Sequence, residues 1–308
     1  VSALHRRAFL ARALALGAAG LGAAPAPANP LGLPVGIQLY TVNDLLQQDL
    51  PGTLHRLRAI GFGEVESFSF GGLTAANFRH MLDDAGLACP SAHLHFDADR
   101  LDAVFADAHA LGVHYVVASM LRPGSGALPY EGEPPAGYGR PMRAMTLEDA
   151  HQTAELANRL GERAQRAGMQ FVYHNHYFEF VPQQDGQIGY DILLRETDLK
   201  LVQFEIDCGW MSVAGRNPVD YLKAHPGRIP MIHVKDFLPA ASPGDARIGA
   251  ALRLGSELGR GTIDYGPIFA AAKRTGLRHY FAEQEAPFAR MGQMQAAQVA
   301  YQYLHGLS

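Results

Sequence analysis

Cysteine is nearly absent from this 308-residue chain, which has only Cys89 and Cys208. Two thiols cannot supply a disulfide framework, so a folded state has to rest on a hydrophobic core. Positive charge is also scarce. Lys and Arg number 26 against 30 Asp and Glu, a formal charge of -4, which gives no general attraction to a phosphate backbone or an anionic membrane face. No long polar tract is present, and 48% hydrophobic with 18% charged residues is globular composition rather than that of a disordered or collagen-like chain.

The extended apolar stretch from Ala13 to Ala24 falls well short of the ~20 residues that span hydrocarbon. It follows His5-Arg6-Arg7-Ala8-Phe9-Leu10 and precedes Ala26-Pro27-Ala28, the layout of a twin-arginine signal peptide with a small-residue cleavage site. Residues 1–28 are therefore expected to be a leader and 29–308 a single catalytic domain, exported to the periplasm without stable membrane anchoring. Cleavage after Ala28 removes Arg6, Arg7 and Arg12 and no acidic residue, which takes the formal charge to -7. Twin-arginine export carries folded proteins, a route suited to a metalloprotein loaded before export.

Eight short apolar runs bounded by Gly, Pro or charge follow: Gly36 to Thr41, Glu64 to Phe68, Cys89 to Leu94, Tyr115 to Met120, Gln170 to His174, Leu201 to Ile206, Pro230 to Val234 and His279 to Glu283. Stretches with helical spacing lie between them, such as Leu54, Leu57, Ile60 and Leu147, Ala154, Leu156, Ala157, Leu160, Ala164. Gly61, Gly86, Gly112, Gly168 and Gly276 each stand just past a helix and before a strand, the position of a helix C-terminal glycine. No Gly-rich phosphate loop follows the first strand, so this alternation predicts an α/β fold of the (β/α)8 barrel type rather than a doubly wound sheet. The long, Pro- and Gly-rich segment from Leu121 to Met145 has no helical period and is expected to form a lid or rim; Phe237 to Pro267 is the second long loop.

In such a barrel the reactive groups stand at the C-terminal ends of the strands. Those ends carry Gln38, Glu66, His93 with His95, Ser119, His174 with His176, Glu205 with Asp207, His233 with Lys235 and Asp236, and Glu283 with Glu285. Residues two apart on a strand face one side, so four consecutive strands each present a pair of imidazole, amine or carboxylate groups to a common cavity. That donor set suits one divalent metal ion, Mn, Zn, Co or Mg.

The segments Tyr173-His174-Asn175-His176, Phe204-Glu205-Ile206-Asp207, Ile232-His233-Val234-Lys235-Asp236 and Phe281-Ala282-Glu283-Gln284-Glu285, with Glu257 to Asp264, resemble the sugar phosphate isomerase/epimerase family of xylose isomerase-like TIM barrels. They are also similar to inosose dehydratases. The resemblance implies proton movement next to the carbonyl of a sugar or keto-polyol, a metal held from the last four strands, and a homodimer as one assembly, since relatives often dimerise. It implies Asp207, His233 and Glu283 as ligands. His174 stands where relatives carry a glutamate; it can ligate through a neutral nitrogen but cannot serve as a second carboxylate base. The catalytic candidates are then Glu283, Glu205 and Lys235, with Glu205 alternatively an orienting partner for a metal-bound imidazole. Glu66, His93, His176, Trp210 and Arg260 are the candidates for substrate contact. Isomerisation or epimerisation is the expected reaction, elimination from a keto-sugar the alternative, and a non-catalytic sugar-binding barrel the third reading.

Overall fold

In the computed structural model the described residues are 29, 31–121, 144–239, 255–286, 288 and 290–307. The expected leader, nearly all of the Leu121–Met145 segment and the middle of the Phe237–Pro267 loop lie outside them. No described helix is long and apolar enough to cross a membrane.

The strands are β1 (Gly36–Gln38), β2 (Glu64–Ser67), β3 (Ala88–His93), β4 (Tyr115–Ser119), β5 (Gln170–His174), β6 (Val202–Asp207), β7 (Met231–Val234), β8 (Asp236–Phe237), β9 (Gly255–Ser256) and β10 (His279–Ala282). β1 to β7 and β10 close into an eight-stranded barrel, with β10 hydrogen-bonded in parallel to both β7 and β1. β8 and β9 make a small antiparallel ribbon above the seventh strand. The alternation read from the sequence thus becomes a (β/α)8 barrel. The first strand is shorter than expected because the Gln38 side chain accepts a hydrogen bond from the Tyr40 amide and starts a 3₁₀ turn over Leu39–Val42.

The connecting helices bury one face each against the barrel. The longest, Leu147–Arg166, begins with a reciprocal capping box between Thr146 and Asp149 and buries Ala150, Thr153, Ala154, Ala157, Leu160 and Ala164, the i, i+3, i+4 stripe of a helix lying on a sheet. All five helix-ending glycines have positive φ, from 71° at Gly86 to 125° at Gly61. That conformation lets the chain reverse into the next strand without a Cβ clash.

Inside the barrel, Tyr115, Val117, Val172, Met231 and Phe281 form an apolar plug. Gly36 makes room for it, since a Cβ there would lie 2.5 Å from Phe281 Cδ1. One step further along the strands the interior becomes polar, with Gln38, Glu66, Ser91, His174, Glu205 and His233 all buried. Ionised groups taken out of water cost several kcal/mol each unless partnered. This layer must therefore be satisfied by its own contacts, and it forms the floor of the candidate site.

Candidate active site

Glu66 organises that floor. Its Oε2 accepts from Gln38 Nε2 at 2.8 Å and lies 2.6 Å from His233 Nε2 and 3.1 Å from His93 Nε2, while Ser91 Oγ donates to Oε1 at 2.7 Å. Burial alone would raise the Glu66 carboxyl, but the imidazoles of His93 and His233 hold it well below the usual carboxylate range. Burial likewise opposes charge on His93, yet Glu66 and Glu205 lift it to about 9. Burial and the neighbouring Glu66 push Glu205 up to about 7.

His233 joins this floor to the mouth. Its Nε2 faces Glu66 while its Nδ1 lies 3.0 Å from Glu283 Oε2. A carboxylate behind an imidazole fixes the ring's tautomer and turns its other nitrogen toward a metal. Asp207, His233 and Glu283 place one ligand atom each within 4.8 Å of one another. Asp207 is locked by its own backbone: Asn175 Oδ1 accepts from the Asp207 amide at 3.1 Å, and Asp207 Oδ1 caps the following short helix by accepting from Trp210 N at 2.9 Å. Its Oδ2 is buried without a hydrogen bond. A buried carboxylate oxygen faced by one ammonium, beside an imidazole and a second carboxylate, is a donor set that fits a divalent ion.

The ammonium of Lys235 stands among the same groups. Nζ lies 3.0 Å from Asp207 Oδ2, 2.8 Å from Glu283 Oε2 and 2.5 Å from Glu285 Oε1. Its pairing is thus with these three acids, not with Asp236 or Glu205. Burial works against the charge, but the three carboxylates keep Lys235 protonated, and Lys235 and His233 in turn hold Glu283 low against its own burial. The lysine backbone is clamped by Tyr265, whose OH accepts from Lys235 N and donates to Lys235 O. Asp236 acts elsewhere, since its carboxylate accepts from the amides of Gly259, Gly261 and Ile263 and so ties down the Glu257–Asp264 loop.

Five of the expected site residues sit elsewhere than the sequence reading placed them, and the first is Glu66, fully buried in the floor and not on the cavity wall. His174 does not share the Asp207–His233–Glu283 group, because its Nδ1 turns to Glu205 Oε2 at 2.9 Å and joins His93, Glu205 and His233 in a second group. Trp210 is only 2% exposed and offers no face to a sugar; its ring covers Lys235, with Nζ 4.9 Å from the centroid. Arg260 is exposed on its loop and does not line the cavity at the barrel mouth, whereas His93, His174, His176, Glu283 and Glu285 do. Glu205 is fully buried, which removes it from direct contact with a substrate.

The sequence reading passed over Ser91 and Glu179. Glu179 sits in the turn Phe178–Phe180, fully buried, accepting from Tyr173 OH and from His176 N at 3.0 Å each. Its spacing in Tyr173-His174-Asn175-His176-Tyr177-Phe178-Glu179 was the available signal. Burial pushes its carboxyl up to about 8. An acid raised in the folded state gives stability that is complete below its unfolded value of 4.5 and lost as pH rises through about 8. Glu179→Gln, which cannot ionise, is therefore expected to gain on the wild type between about pH 5 and about pH 8.5 in thermal melts; parallel melting curves across that range would contradict it.

A family model for the xylose isomerase-like TIM barrel matches residues 54–299. The chain belongs to this family. It is 34% identical over 128 residues to an inosose dehydratase of Clostridium botulinum, covering 40% of this chain and 42% of that protein. The chain thus spans only about half the length of the curated relatives it matches. A sugar phosphate isomerase/epimerase from Parabacteroides distasonis superposes with a TM-score of 0.67 at 24% identity, covering 93% of this chain and 96% of that one. A xylose isomerase-like TIM barrel protein from Mycobacterium smegmatis, solved in complex with magnesium, superposes with a TM-score of 0.63 at 16% identity over 91% of this chain and 99% of its own. The curated relatives are inosose dehydratases, and the structural neighbours include an L-ribulose 3-epimerase and a probable 3-DHS dehydratase.

Proposed function

We propose that this enzyme takes a proton from the carbon next to the carbonyl of a keto-sugar or keto-polyol and expels a β-hydroxyl as water. The observation that carries this reading is that the mouth carboxylates, Glu283 and Glu285, stand at one strand end, with the imidazole of His93 three strands away. Glu283 and its neighbour Glu285 line the cavity, His174 replaces the second glutamate, and Glu205 is sealed beneath the imidazoles. Moving a proton between the two faces of one carbon calls for two bases; elimination calls for one base and one acid.

The acid is available. His93 lines the cavity and is held at about 9, so it carries a proton at neutral pH. It stands three strands from Glu283 around the barrel, counting β10, β1, β2 and β3. His233 and Lys235 both engage Oε2 of Glu283, which leaves Oε1 for the substrate proton. Glu283 takes that proton, the C–H electrons form the new C=C bond, the β C–O bond breaks, and His93 protonates the departing hydroxyl to give water. Both groups then regain their starting states by exchange with solvent. Asp207, His233 and Glu283 would hold a divalent ion, which when bound would supply positive charge for the substrate's carbonyl oxygen. Burial and the Lys235 charge hold His176 at about 3, so it is a neutral hydrogen-bonding wall.

The inosose dehydratase relatives and the epimerase among the structural neighbours both support chemistry at a carbon beside a carbonyl. Arg6-Arg7 and the apolar run after them, read as a leader, support action in the periplasm on unphosphorylated sugars. The test is incubation of the tag-free chain with keto-inositols and keto-hexoses in D2O after loading with Mn, Co, Zn or Mg. Loss of one water by mass, with the enone absorbance, is the expected result. Deuterium exchange without loss of water would instead make it an isomerase or epimerase, and neither would overturn both readings.

A further inference from the structure

The imidazoles below the mouth assemble a second set of ligand atoms, distinct from Asp207 and Glu283. His93 Nε2, His174 Nδ1 and His233 Nε2 lie 3.2, 2.9 and 3.3 Å from Glu205 Oε2, and the four atoms are all within 4.8 Å of one another. Tetrahedral coordination with bonds of about 2.0–2.1 Å puts neighbouring ligand atoms about 3.3 Å apart. The three nitrogen-to-oxygen edges are already near that length. Glu205 Oε1 is buried with no hydrogen-bond partner, a costly arrangement for a carboxylate that lacks a full complement of cations.

The two sets differ in what neutralises them. Among the described residues, the acids at the mouth are matched by the Lys235 ammonium, which cannot ligate while protonated and must move aside for an ion. In the deeper set the groups facing Glu205 are imidazoles, each of which can give up a shared proton and offer a lone pair instead. Two buried carboxylates, Glu66 and Glu205, bring a charge that a single divalent ion balances. His93 and His174 also line the cavity, which gives an ion a way in.

We propose that His93, His174, Glu205 and His233 hold a divalent cation of their own, beneath the Asp207–His233–Glu283 group. Three imidazole nitrogens gathered on one carboxylate oxygen suit zinc or cobalt over magnesium. The ion replaces the protons now shared between those nitrogens and Glu205, so with it bound the proton for the departing hydroxyl comes from solvent in the cavity and not from His93. His233 faces the two groups with opposite ring nitrogens, so the deeper ion fixes the orientation of the ring that serves the mouth.

The test uses the tag-free chain, stripped with a chelator and titrated with Co(II), read by elemental analysis and by visible absorption. The double variant Asp207→Asn/Glu283→Gln is expected to keep one cobalt with the intense absorption of a tetrahedral site. Adding His93→Gln, or separately His174→Gln, is expected to weaken that binding by about 100-fold or more, with circular dichroism reporting that the fold persists. Loss of all cobalt from the double variant, or cobalt binding indifferent to both histidine changes, would overturn the deeper site. The first of those results leaves the proposed reaction standing. Retained deep cobalt with undiminished turnover in Glu283→Gln would do the reverse.

Discussion

Glu283→Gln is expected to lower turnover of a keto-sugar by about 10²–10⁴-fold, the loss that follows removal of a positioned general base, while the chain stays folded. Two features of the site support both halves of that result. Glu283 lies at the cavity with its Oε2 held by His233 Nδ1 and Lys235 Nζ, so the base is fixed before substrate arrives and its carboxyl is kept ionised. Glutamine preserves the shape but has no basic oxygen. The fold survives because Lys235 retains Asp207 at 3.0 Å and Glu285 at 2.5 Å, and because residues at a barrel mouth contribute more to chemistry than to stability. Initial rates measured alongside a urea melt check the result. A variant with near wild-type turnover would remove Glu283 from the reaction, and a variant that fails to fold would show it to be structural.

The barrel was legible because its signals are local and repeated. Eight short apolar runs and five helix-ending glycines recur with a period that only a (β/α)8 arrangement absorbs, and the strands fall within a few residues of those runs. Strand-end position and a two-residue spacing nominate the pairs His174/His176, Glu205/Asp207, His233/Lys235 and Glu283/Glu285, and the family resemblance selects His174, Asp207, His233 and Glu283 from them as ligands. What the spacing cannot supply is depth. Glu205 and Asp207 point the same way on β6, yet one step along the strand puts Glu205 in the buried floor and Asp207 at the mouth, so the four expected ligands divide into two groups. Rotation of a ring is equally invisible, as with the Nδ1 of His174 turned to Glu205. Trp210 was misread because a tryptophan just past a strand end can serve as a sugar platform or as a wall, and only the packing against Lys235 and Phe237 decides. Ser91 carries no pattern of its own and Glu179 only its place in the Tyr173-to-Glu179 run; both matter through the partners that folding brings to them.

Removing Glu66 is expected to cost the metal-free protein more stability than any other single change in the site, about 3–5 kcal/mol for Glu66→Ala near pH 6. The carboxylate is fully buried and is the shared acceptor of Gln38, Ser91, His93 and His233. Its loss strands two imidazoles and leaves two neutral donors unpaired in a buried layer. The pH profile separates this from simple cavity formation. Glu66 is depressed in the folded state, so its contribution is present above its unfolded value of 4.5 and fades as pH falls below that. His93 is raised to about 9, so its contribution is complete below 6.5 and is lost as pH rises through about 9. The difference between wild type and variant is therefore widest from about pH 4.5 to about pH 6.5 and narrows on both sides. A cavity would cost the same at every pH, so urea melts at low, middle and high pH that give one constant difference would contradict the ion-pair account. Glu66→Gln sharpens the comparison, because it keeps the volume and one acceptor while removing the charge. It is expected to show the same pH shape with a smaller amplitude, and also to weaken metal binding at the mouth by about 10–100-fold, since His233 loses the carboxylate that turns its Nδ1 toward Glu283.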